Sequence, residues 1–225
     1  MNIEQARFNM VEQQIRPWNV SDPSVLELLS SVKREDFVPA AHKGLAFADL
    51  EIPLLGSHDD ALRLGQCMLA PRLEARMLQD VAVQAHETVL EIGTGSGYMA
   101  ALLARKARRV VSLEINPELA TMARNNLRNA GITNAEVRLA DGAQPTPAEG
   151  QYDAIVLSGS VAEIPDTLLS LLAIGGRLIA IVGDEPVMRT TIVTRTNETT
   201  FRSVQSWDTL APRLQHFPEP SRFRF

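Results

Sequence analysis

Three closely spaced glycines are the first residues of this sequence that could serve a binding chemistry. Gly93, Gly95 and Gly97 separate an apolar run from a helix-like run in VLEIGTGSGYMAALLA, residues 89–104. Glycine loses more conformational entropy on folding than other residues, so the cluster indicates close approach by a ligand or by another part of the backbone. Tyr98 stands where the dinucleotide-binding pattern Gly-x-Gly-x-x-Gly has its third glycine, which argues against NAD.

Acidic residues accompany the glycines at the ends of successive apolar runs. Glu114 follows Gly97 by 17 residues, where a carboxylate can bind the ribose hydroxyls of a nucleoside. Asp141 could accept from the exocyclic amine of adenine, and Glu91 suits a cationic group better than a pyrophosphate. An adenosine with a positively charged amino-acid tail is S-adenosylmethionine (SAM). The sequence therefore predicts SAM as the cofactor, bound by Glu91, Gly93, Thr94, Gly95, Ser96, Gly97, Glu114, Asp141, Gly142 and Ser158.

Each of these residues also has an ordinary structural explanation. Glycines after a strand form tight turns, and an acid at a strand end often caps the next helix or faces solvent. The competing enzyme class is a nicotinamide-dependent oxidoreductase, against which the Tyr98 mismatch and the lack of a second substrate domain both count. Thermal stabilisation by SAM and not by NAD would separate the two classes.

From about residue 88 the sequence alternates between strand and helix patterns. Apolar runs such as TVLEI and RVVSLEI precede helix-like stretches, one of which opens with Asn116 and Pro117 and ends at Gly131. Such alternation predicts a parallel sheet covered by helices on both faces. The runs RTTIVTRT and TFRSVQSW are expected to close the sheet as an antiparallel pair. Ligands of such sheets lie beyond the carboxyl ends of the strands, where the glycines and acids fall.

The first 80 residues predict a helical extension with a loop-rich stretch at roughly residues 37–69. The residues that carry this prediction are Phe8, Val11, Ile15, Pro17, Asp22, Pro23, Pro71, Leu73, Met77 and Val81. We therefore expect two parts in the chain. Residues 1–80 form a helical extension packed on the core, and residues 81–225 form the SAM-binding core with a C-terminal tail.

The composition argues against several classes of protein. The 225 residues are 45% hydrophobic and 22% charged with a net charge of −5, which lacks the basic footprint of nucleic-acid binding. The single Cys67 excludes an intrachain disulfide and a cysteine metal cluster, and the four histidines lack metal-ligand spacing. The polar N-terminus is not a signal peptide, and no window could span a membrane. We expect a cytoplasmic protein without metal, nucleic acid or membrane partners.

Four stretches of the sequence resemble the protein-L-isoaspartate O-methyltransferase family. VLEIGTGSGYMAALLA is similar to the first SAM motif of the family, and YDAIVLSGSVAEIPDTLLSLLAIGGRLIAIVG is similar to its fourth and fifth strand region. REDFVP and the stretch Gly65–Met77 match in outline, so that the resemblance runs from about residue 30 to about residue 185. It implies a class I SAM-dependent methyltransferase of the α/β class. The expected fold is a Rossmann-like doubly wound sheet, mostly parallel, with an antiparallel C-terminal strand pair and a helical N-terminal extension.

The resemblance also implies an activity, which is methyl transfer to the free carboxylate of isoaspartyl residues in damaged proteins. This is a protein-repair reaction. A carboxylate is already nucleophilic, so the transfer requires alignment and exclusion of water rather than a strong base.

The sequence departs from the family pattern where the chemistry is expected. The family has Gln-Thr-Ile-Ser before a proline, with the serine hydroxyl beside the reacting groups. Here Gln66 is followed by Cys67 in place of the threonine and by Leu69 in place of the serine. Leucine donates no hydrogen bond to a carboxylate. The segment GSHDDALR is an insertion relative to the family pattern and brings Arg63 near, so the catalytic candidates are Arg63, Gln66 and Cys67.

Three functions remain open from the sequence. The protein repairs isoaspartyl residues, with Arg63 or backbone amides holding the carboxylate, or it methylates another, small-molecule acceptor, or it binds SAM without transfer. The oligomeric state is not assigned. We expect His58 in a solvated loop, Cys67 as a small buried hydrophobe, and the tail SRFRF, residues 221–225, docked on the body or on a second subunit.

Overall fold

The chain before the central sheet is mainly helical in a computed structural model, which describes residues 2–144 and 150–219. The tail SRFRF lies outside these residues. The elements of this part are α1 (Ile3–Asn9), α2 (Pro23–Ser31), β1 (Ile52–Pro53), α3 (His58–Arg63), β2 (Cys67–Met68) and α4 (Pro71–Val81). A π-helical turn (Met10–Ile15) and a 3-10 turn (Arg16–Trp18) continue α1, and two further 3-10 segments span Arg34–Asp36 and Ala40–Leu45.

The helices predicted before Pro17, after Asp22 and from Pro71 are confirmed. The Asp22 side chain accepts from the Ser24 amide and caps α2, as its position before Pro23 predicts. Phe8 is the exception in the first helix, because its side chain is exposed and only its predicted partners Val11 and Ile15 reach the core.

The stretch expected to be loop-rich contains regular structure. Strand β1 pairs antiparallel with β2, with Ile52 opposite Met68 and Pro53 opposite Cys67. The inserted segment between them is helical, because the Ser57 side chain accepts from the Asp60 amide and caps α3. The expectation that His58 lies in a loop was wrong, since His58 is the exposed first residue of α3.

Seven strands form the central sheet within the described residues. The remaining elements are β3 (Thr88–Ile92), α5 (Tyr98–Lys106), β4 (Arg109–Glu114), α6 (Pro117–Asn129), β5 (Ala135–Leu139), β6 (Tyr152–Val161), α7 (Asp166–Leu169), β7 (Leu172–Asp184), β8 (Val187–Arg195) and β9 (Phe201–Thr209). Their spatial order is β5-β4-β3-β6-β7-β8-β9, parallel from β5 to β7 and antiparallel for β8 and β9. The predicted mostly parallel sheet with an antiparallel C-terminal pair is confirmed.

Alternate side chains of the strands belong to two hydrophobic clusters, one on each face of the sheet. Val89, Ala154 and Ile179 pack with α2, α4, α5 and α6 on one face. Leu90 and Ile155 belong to the other face, whose described cover is the one-turn helix α7 and the segment that carries Phe217. The helical cover is therefore unequal, and a C-terminal segment completes the second face.

The N-terminal part shares its core with the sheet. Met10, Ile15 and Phe37 belong to the same buried cluster as Trp207 of β9. The Trp207 indole donates to Asp80 Oδ2 over 2.8 Å, and the Arg76 guanidinium lies 4.7 Å from the centre of its ring. In the described part of the chain, no helix combines the length and apolar character that crossing a membrane requires.

Candidate active site

A cavity lies at the carboxyl ends of the parallel strands, where the strand order reverses around β3. Its walls come from six places in the chain: the glycine loop after β3, Glu114–Asn116 at the end of β4, Ala140–Gly142 after β5, Ser158 of β6, and two segments outside the central sheet, Leu64–Cys67 and Arg213–Phe217. Apolar side chains complete it, namely Ile92, Leu113, Ile115 and Leu119. The predicted location of the site at the strand ends therefore coincides with a cavity.

The glycine loop takes a backbone conformation that other residues rarely adopt. Gly93, Gly95 and Gly97 have φ angles of 91°, 53° and 84°, all in the left-handed region. A Cβ on Gly97 would lie 3.2 Å from the Ala123 Cβ, so this glycine permits close packing of α5 on α6. Gly93 and Gly95 line the cavity.

Thr94 and Ser96 of this loop lie within the protein rather than on the cavity wall. The Thr94 and Ser112 hydroxyls are 2.5 Å apart, and the Ser96 carbonyl accepts from the Asn126 side chain over 2.9 Å. Both residues are buried. Their part in the site is to fix the shape of the loop, together with Gly97.

Glu114 presents a buried carboxylate to the cavity. Its Oε2 accepts from the Gly95 amide over 2.8 Å, and its Oε1 accepts from the Asn116 amide over 2.9 Å. Desolvation raises the pKa of Glu114, and the backbone hydrogen bonds oppose that rise. Each carboxylate oxygen keeps a second lone pair, so Glu114 can also accept from the two hydroxyls of a ribose.

The structure places Glu91 behind the cavity wall and not on it. Strand alternation turns Ile92 toward the cavity and Glu91 toward the opposite face, where its carboxylate accepts from Ser112 over 2.6 Å and from Ser158 over 2.8 Å. Burial raises the pKa of Glu91 to about 8, and the hydrogen bonds from Ser112 and Ser158 oppose that rise. This placement corrects the expectation of a direct contact with a cationic ligand. Glu91 instead orients the Ser158 hydroxyl, and Ser158 does line the cavity.

Asp141 and Gly142 follow β5 and line the cavity as predicted. Asp141 Oδ1 accepts from the Ala143 amide over 2.9 Å, and its Oδ2 lies 2.8 Å from His216 Nδ1. An added Cβ on Gly142 would lie 2.2 Å from Ile92 Cγ2, a distance that no real contact reaches. Only glycine therefore fits beside Ile92 at this position.

The three catalytic candidates occupy different environments. Gln66 and Cys67 line the cavity, and burial raises the pKa of the Cys67 thiol to about 12. Arg63 does not reach the cavity, since its exposed side chain pairs with Asp60 and faces a neighbouring cleft. Leu69 is buried in the core below. The Leu69 carbonyl accepts from the buried Arg34 guanidinium over 2.6 Å.

The segment Ala211–Phe217 is the part of the site that sequence reasoning missed. Ser160 holds it, because the Ser160 amide donates to the Pro212 carbonyl over 2.8 Å and the Leu214 amide donates to the Ser160 carbonyl over 2.9 Å. A Cβ on Gly93 would lie 2.8 Å from Leu214 Cδ2, so Leu214 rests on the glycine loop. The stretch TLAPRLQHF carries no periodicity or motif that would have placed it here.

The cavity has the donor and acceptor groups that an adenosine needs. Glu114 offers acceptors for ribose hydroxyls, and Asp141 offers an acceptor for an amine. Ile115, Leu119 and Phe217 supply apolar surface for a base. Among the described cavity-lining residues the one basic side chain is Arg213, which disfavours a pyrophosphate ligand. The residues present therefore fit a nucleoside with a small charged tail.

Comparison with known proteins places the chain among methyltransferases. A sequence model of the family described as Protein-L-isoaspartate(D-aspartate) O-methyltransferase (PCMT) matches residues 5–208. A protein-L-isoaspartate O-methyltransferase of Methanoculleus marisnigri is 44% identical over 177 residues, which cover 79% of this chain and 77% of that protein. A second relative, protein-L-isoaspartate O-methyltransferase 1 of Syntrophobacter fumaroxidans, is 42% identical over 82% of each chain.

A solved structure has the same fold. It is a Plasmodium falciparum protein described as a protein-L-isoaspartate O-methyltransferase in complex with S-adenosyl-L-homocysteine. It superposes with a TM-score of 0.75 at 20% identity and covers 96% of this chain and 99% of its own. Together with the extent of the family match, these likenesses lead to one conclusion: the chain belongs to the protein-L-isoaspartate O-methyltransferase family.

Proposed function

We propose that this protein transfers the methyl group of SAM to the free carboxylate of isoaspartyl residues in peptides and proteins. Membership of the family supports the reaction, and one observation in the structure carries it. The buried Glu114 carboxylate, fixed by the Gly95 and Asn116 amides, faces a cavity that Gln66 and Cys67 also line. The groups that suit a nucleoside and the segment that aligns with the family's Gln-Thr-Ile-Ser pattern therefore line one cavity.

The cofactor residues divide by role in this proposal. Those that contact the cofactor are Gly93, Gly95, Glu114, Asp141, Gly142 and Ser158. Glu91, Thr94, Ser96 and Gly97 hold the loop and the Ser158 hydroxyl in place. When bound, SAM supplies an electrophilic methyl group on a sulfonium centre. Its products are S-adenosylhomocysteine and the methyl ester of the acceptor, because the carbon–sulfur bond breaks as the carbon–oxygen bond forms.

In this proposal the chain orients the acceptor and excludes water from the site, and it supplies no general base. Burial keeps the Cys67 thiol protonated, so Cys67 is a neutral part of the wall and not a nucleophile. The apolar side chains of Ile92, Leu113 and Leu214 exclude water, which would compete with the acceptor and screen its charge. A carboxylate held against this wall needs only alignment to react.

Cofactor binding in this proposal includes a shift of two side chains on the C-terminal segment, those of Leu214 and Phe217. The cavity encloses about 60 Å³, whereas ligand pockets typically measure roughly 300–1,000 Å³. Leu214 and Phe217 line the cavity from a segment outside the sheet. Their side chains can therefore shift while the backbone hydrogen bonds to Ser160 stay in place. An outward shift of these two side chains provides the volume for a nucleoside.

A second candidate function is methyl transfer to a different acceptor. The observation that favours it is Leu69, which is buried and apolar where the family has its serine. A third candidate, SAM binding without transfer, predicts cofactor affinity alone.

One experiment separates these candidates. Labelled methyl transfer from SAM is measured with an isoaspartyl peptide and with the matched aspartyl peptide, and S-adenosylhomocysteine binding is measured by calorimetry on the same sample. We expect transfer to the isoaspartyl peptide only. Binding without transfer to either peptide would reject the repair function and lead to a screen of small acceptors.

A further inference from the structure

An open cleft adjoins the cavity on the side of the antiparallel strands. It measures about 890 Å³ and is lined by Glu51, Leu62, Arg63, Asp184, Glu185 and the chain around Arg213. Arg213 belongs to both walls, because it also lines the cavity. Arg213 therefore lies between the cleft, from which an acceptor would enter, and the cavity of the cofactor.

The guanidinium of Arg213 is held in a fixed position. Its Nη1 donates to the Gly183 carbonyl over 3.0 Å and its Nη2 donates to Asp184 Oδ1 over 2.5 Å. Its Nε lies 3.0 Å from Glu219 Oε1. The backbone of Arg213 is fixed as well, by the pairing of its segment with Ser160 and by the close approach of its carbonyl to Gly65.

The acceptor of the proposed reaction is an anion, and a cationic hydrogen-bond donor would hold it in place. Leu69 supplies no donor of either kind, neutral or charged. Among the described residues that line the cavity, Arg213 is the one with a positive side chain. A guanidinium has five N–H donors in a planar fork that matches a carboxylate, and three of the five have the acceptors named above. Two donors are therefore available to a further oxygen.

We propose that Arg213 binds the carboxylate of the acceptor, an inference that rests on the proposed function. One carboxylate oxygen accepts from the guanidinium, and the other takes the methyl group. Methylation converts the anion to a neutral ester, so the attraction to Arg213 falls when the product forms and favours its release. Arg213 thus supplies the orientation that the family's serine supplies elsewhere.

Asp184 is a competitor in this arrangement. Its carboxylate occupies one arm of the guanidinium and is itself half exposed, and the Glu219 carboxylate lies against Nε, so an acceptor carboxylate competes with both. Removing the charge of Asp184 should therefore strengthen acceptor binding, whereas removing the charge of Arg213 should weaken it. Opposite effects from two partners of one ion pair are not expected if the pair merely stabilises the fold.

The test compares KM and kcat for an isoaspartyl peptide, together with the Kd of S-adenosylhomocysteine, in Arg213→Met, Arg213→Lys and Asp184→Asn. Arg213→Met should raise KM by about tenfold or more and leave the Kd within about twofold. Arg213→Lys should recover part of the loss, and Asp184→Asn should lower KM. The matched control is Arg189→Met, which removes an exposed ion pair between Arg189 of β8 and Asp208 of β9 and should change neither quantity.

Several results would overturn the inference. An unchanged KM in a folded Arg213→Met would do so while leaving the repair function intact. An increase in KM for Arg63→Met alone would assign the carboxylate to Arg63 instead. If Arg213→Met does not fold, an unchanged or higher KM in Asp184→Asn counts against the proposal. A wild-type protein that binds S-adenosylhomocysteine but methylates no isoaspartyl peptide would overturn both this inference and the proposed function.

Discussion

In the proposed function, Glu114 is the residue on which cofactor binding depends most directly. Two backbone amides hold its carboxylate at the edge of the cavity, and burial removes most of the water that would weaken its hydrogen bonds. Hydrogen bonds to a charged group contribute roughly 1.5–3 kcal/mol each, so this carboxylate could supply much of the specificity for a ribose.

We predict that Glu114→Ala weakens S-adenosylhomocysteine binding by about tenfold or more, measured by titration calorimetry. The affinity of Glu114→Gln for S-adenosylhomocysteine should lie between those of Glu114→Ala and the wild type, because glutamine keeps one acceptor oxygen. The control is Glu118→Ala, which removes an exposed acid from the first turn of α6 and should bind normally. An unchanged affinity in Glu114→Ala would remove Glu114 from the site.

Glu91 makes stability depend on pH in a particular direction. Its pKa rises from 4.5 to about 8 on folding because its carboxyl is buried. Between these two values the unfolded chain has released the proton and the folded protein retains it. Stability from this group is therefore greatest at low pH and falls as pH rises toward 8.

We predict that Glu91→Gln reduces this dependence. The free energy of unfolding is measured with urea at about pH 5.5 and about pH 7.5. The stability of Glu91→Gln relative to the wild type should increase with pH, by at most about 1.4 kcal/mol per pH unit. Glu163→Gln, at an exposed acid, serves as the control. A pH profile of Glu91→Gln parallel to that of the wild type would contradict a raised pKa.

The residue types at the strand ends made part of the site predictable. Glycines and acids after β3, β4 and β5 were enough to locate Gly93, Glu114 and Asp141 on a cavity. Glu91 was misplaced because strand alternation decides which neighbour faces the ligand, and the sequence does not say which face that is. Arg213 was not predictable, since its position follows from contacts with Ser160 and Asp184 distant in sequence.

At the scale of the elements, β6 makes the link between the sheet and the C-terminal segment. Its register with β7 shifts between Val156 and Ser160, so the chain around Ser158 bulges toward the cavity. Ser160 still pairs with Ile181 of β7. Its other edge is available to the segment around Arg213, because the pairing of β6 with β3 ends at Leu157. The sequence pattern predicted this strand only as YDAIVLS, which ends at Ser158. Gly159 is a residue type that can mark such an irregularity, but by itself it does not predict which segment packs against it.

The turn after β5 should be intolerant of any side chain at Gly142. Gly142→Ala places a Cβ against the branched Ile92, and we expect a loss of about 1–3 kcal/mol in the free energy of unfolding together with weaker S-adenosylhomocysteine binding. Gly44→Ala is the matched control, since a Cβ at Gly44 meets nothing within 4 Å. Equal melting temperatures for the two variants would show that the turn adapts.

At the scale of the whole molecule, we propose that residues 1–80 are an extension packed on the core of residues 81–225 and not an independently folding unit. The buried cluster that joins Met10 and Phe37 to Trp207 supports this organisation. Trp18 adds a second link, because the Arg72 guanidinium of α4 lies 4.4 Å from the centre of its ring. Helix α4 therefore contacts both ends of the chain.

The two tryptophans allow a direct test of this cooperativity. Trp207→Phe leaves Trp18 as the reporter of the N-terminal part, and Trp18→Phe leaves Trp207 as the reporter of β9. Fluorescence and circular dichroism should give coincident urea midpoints within each variant. A lower midpoint for the Trp18 signal than for the circular dichroism of the same variant would mean that the extension unfolds by itself.

The position of Arg213–Phe217 has a consequence for how the protein is made. The ribosome synthesises these residues after every strand of the sheet, yet they form one wall of the cavity. A nascent chain can therefore pair the seven described strands before it can enclose a cofactor. We expect a product of interrupted translation that ends before Ala211 to be an incomplete enzyme, one that does not consume SAM in the cell.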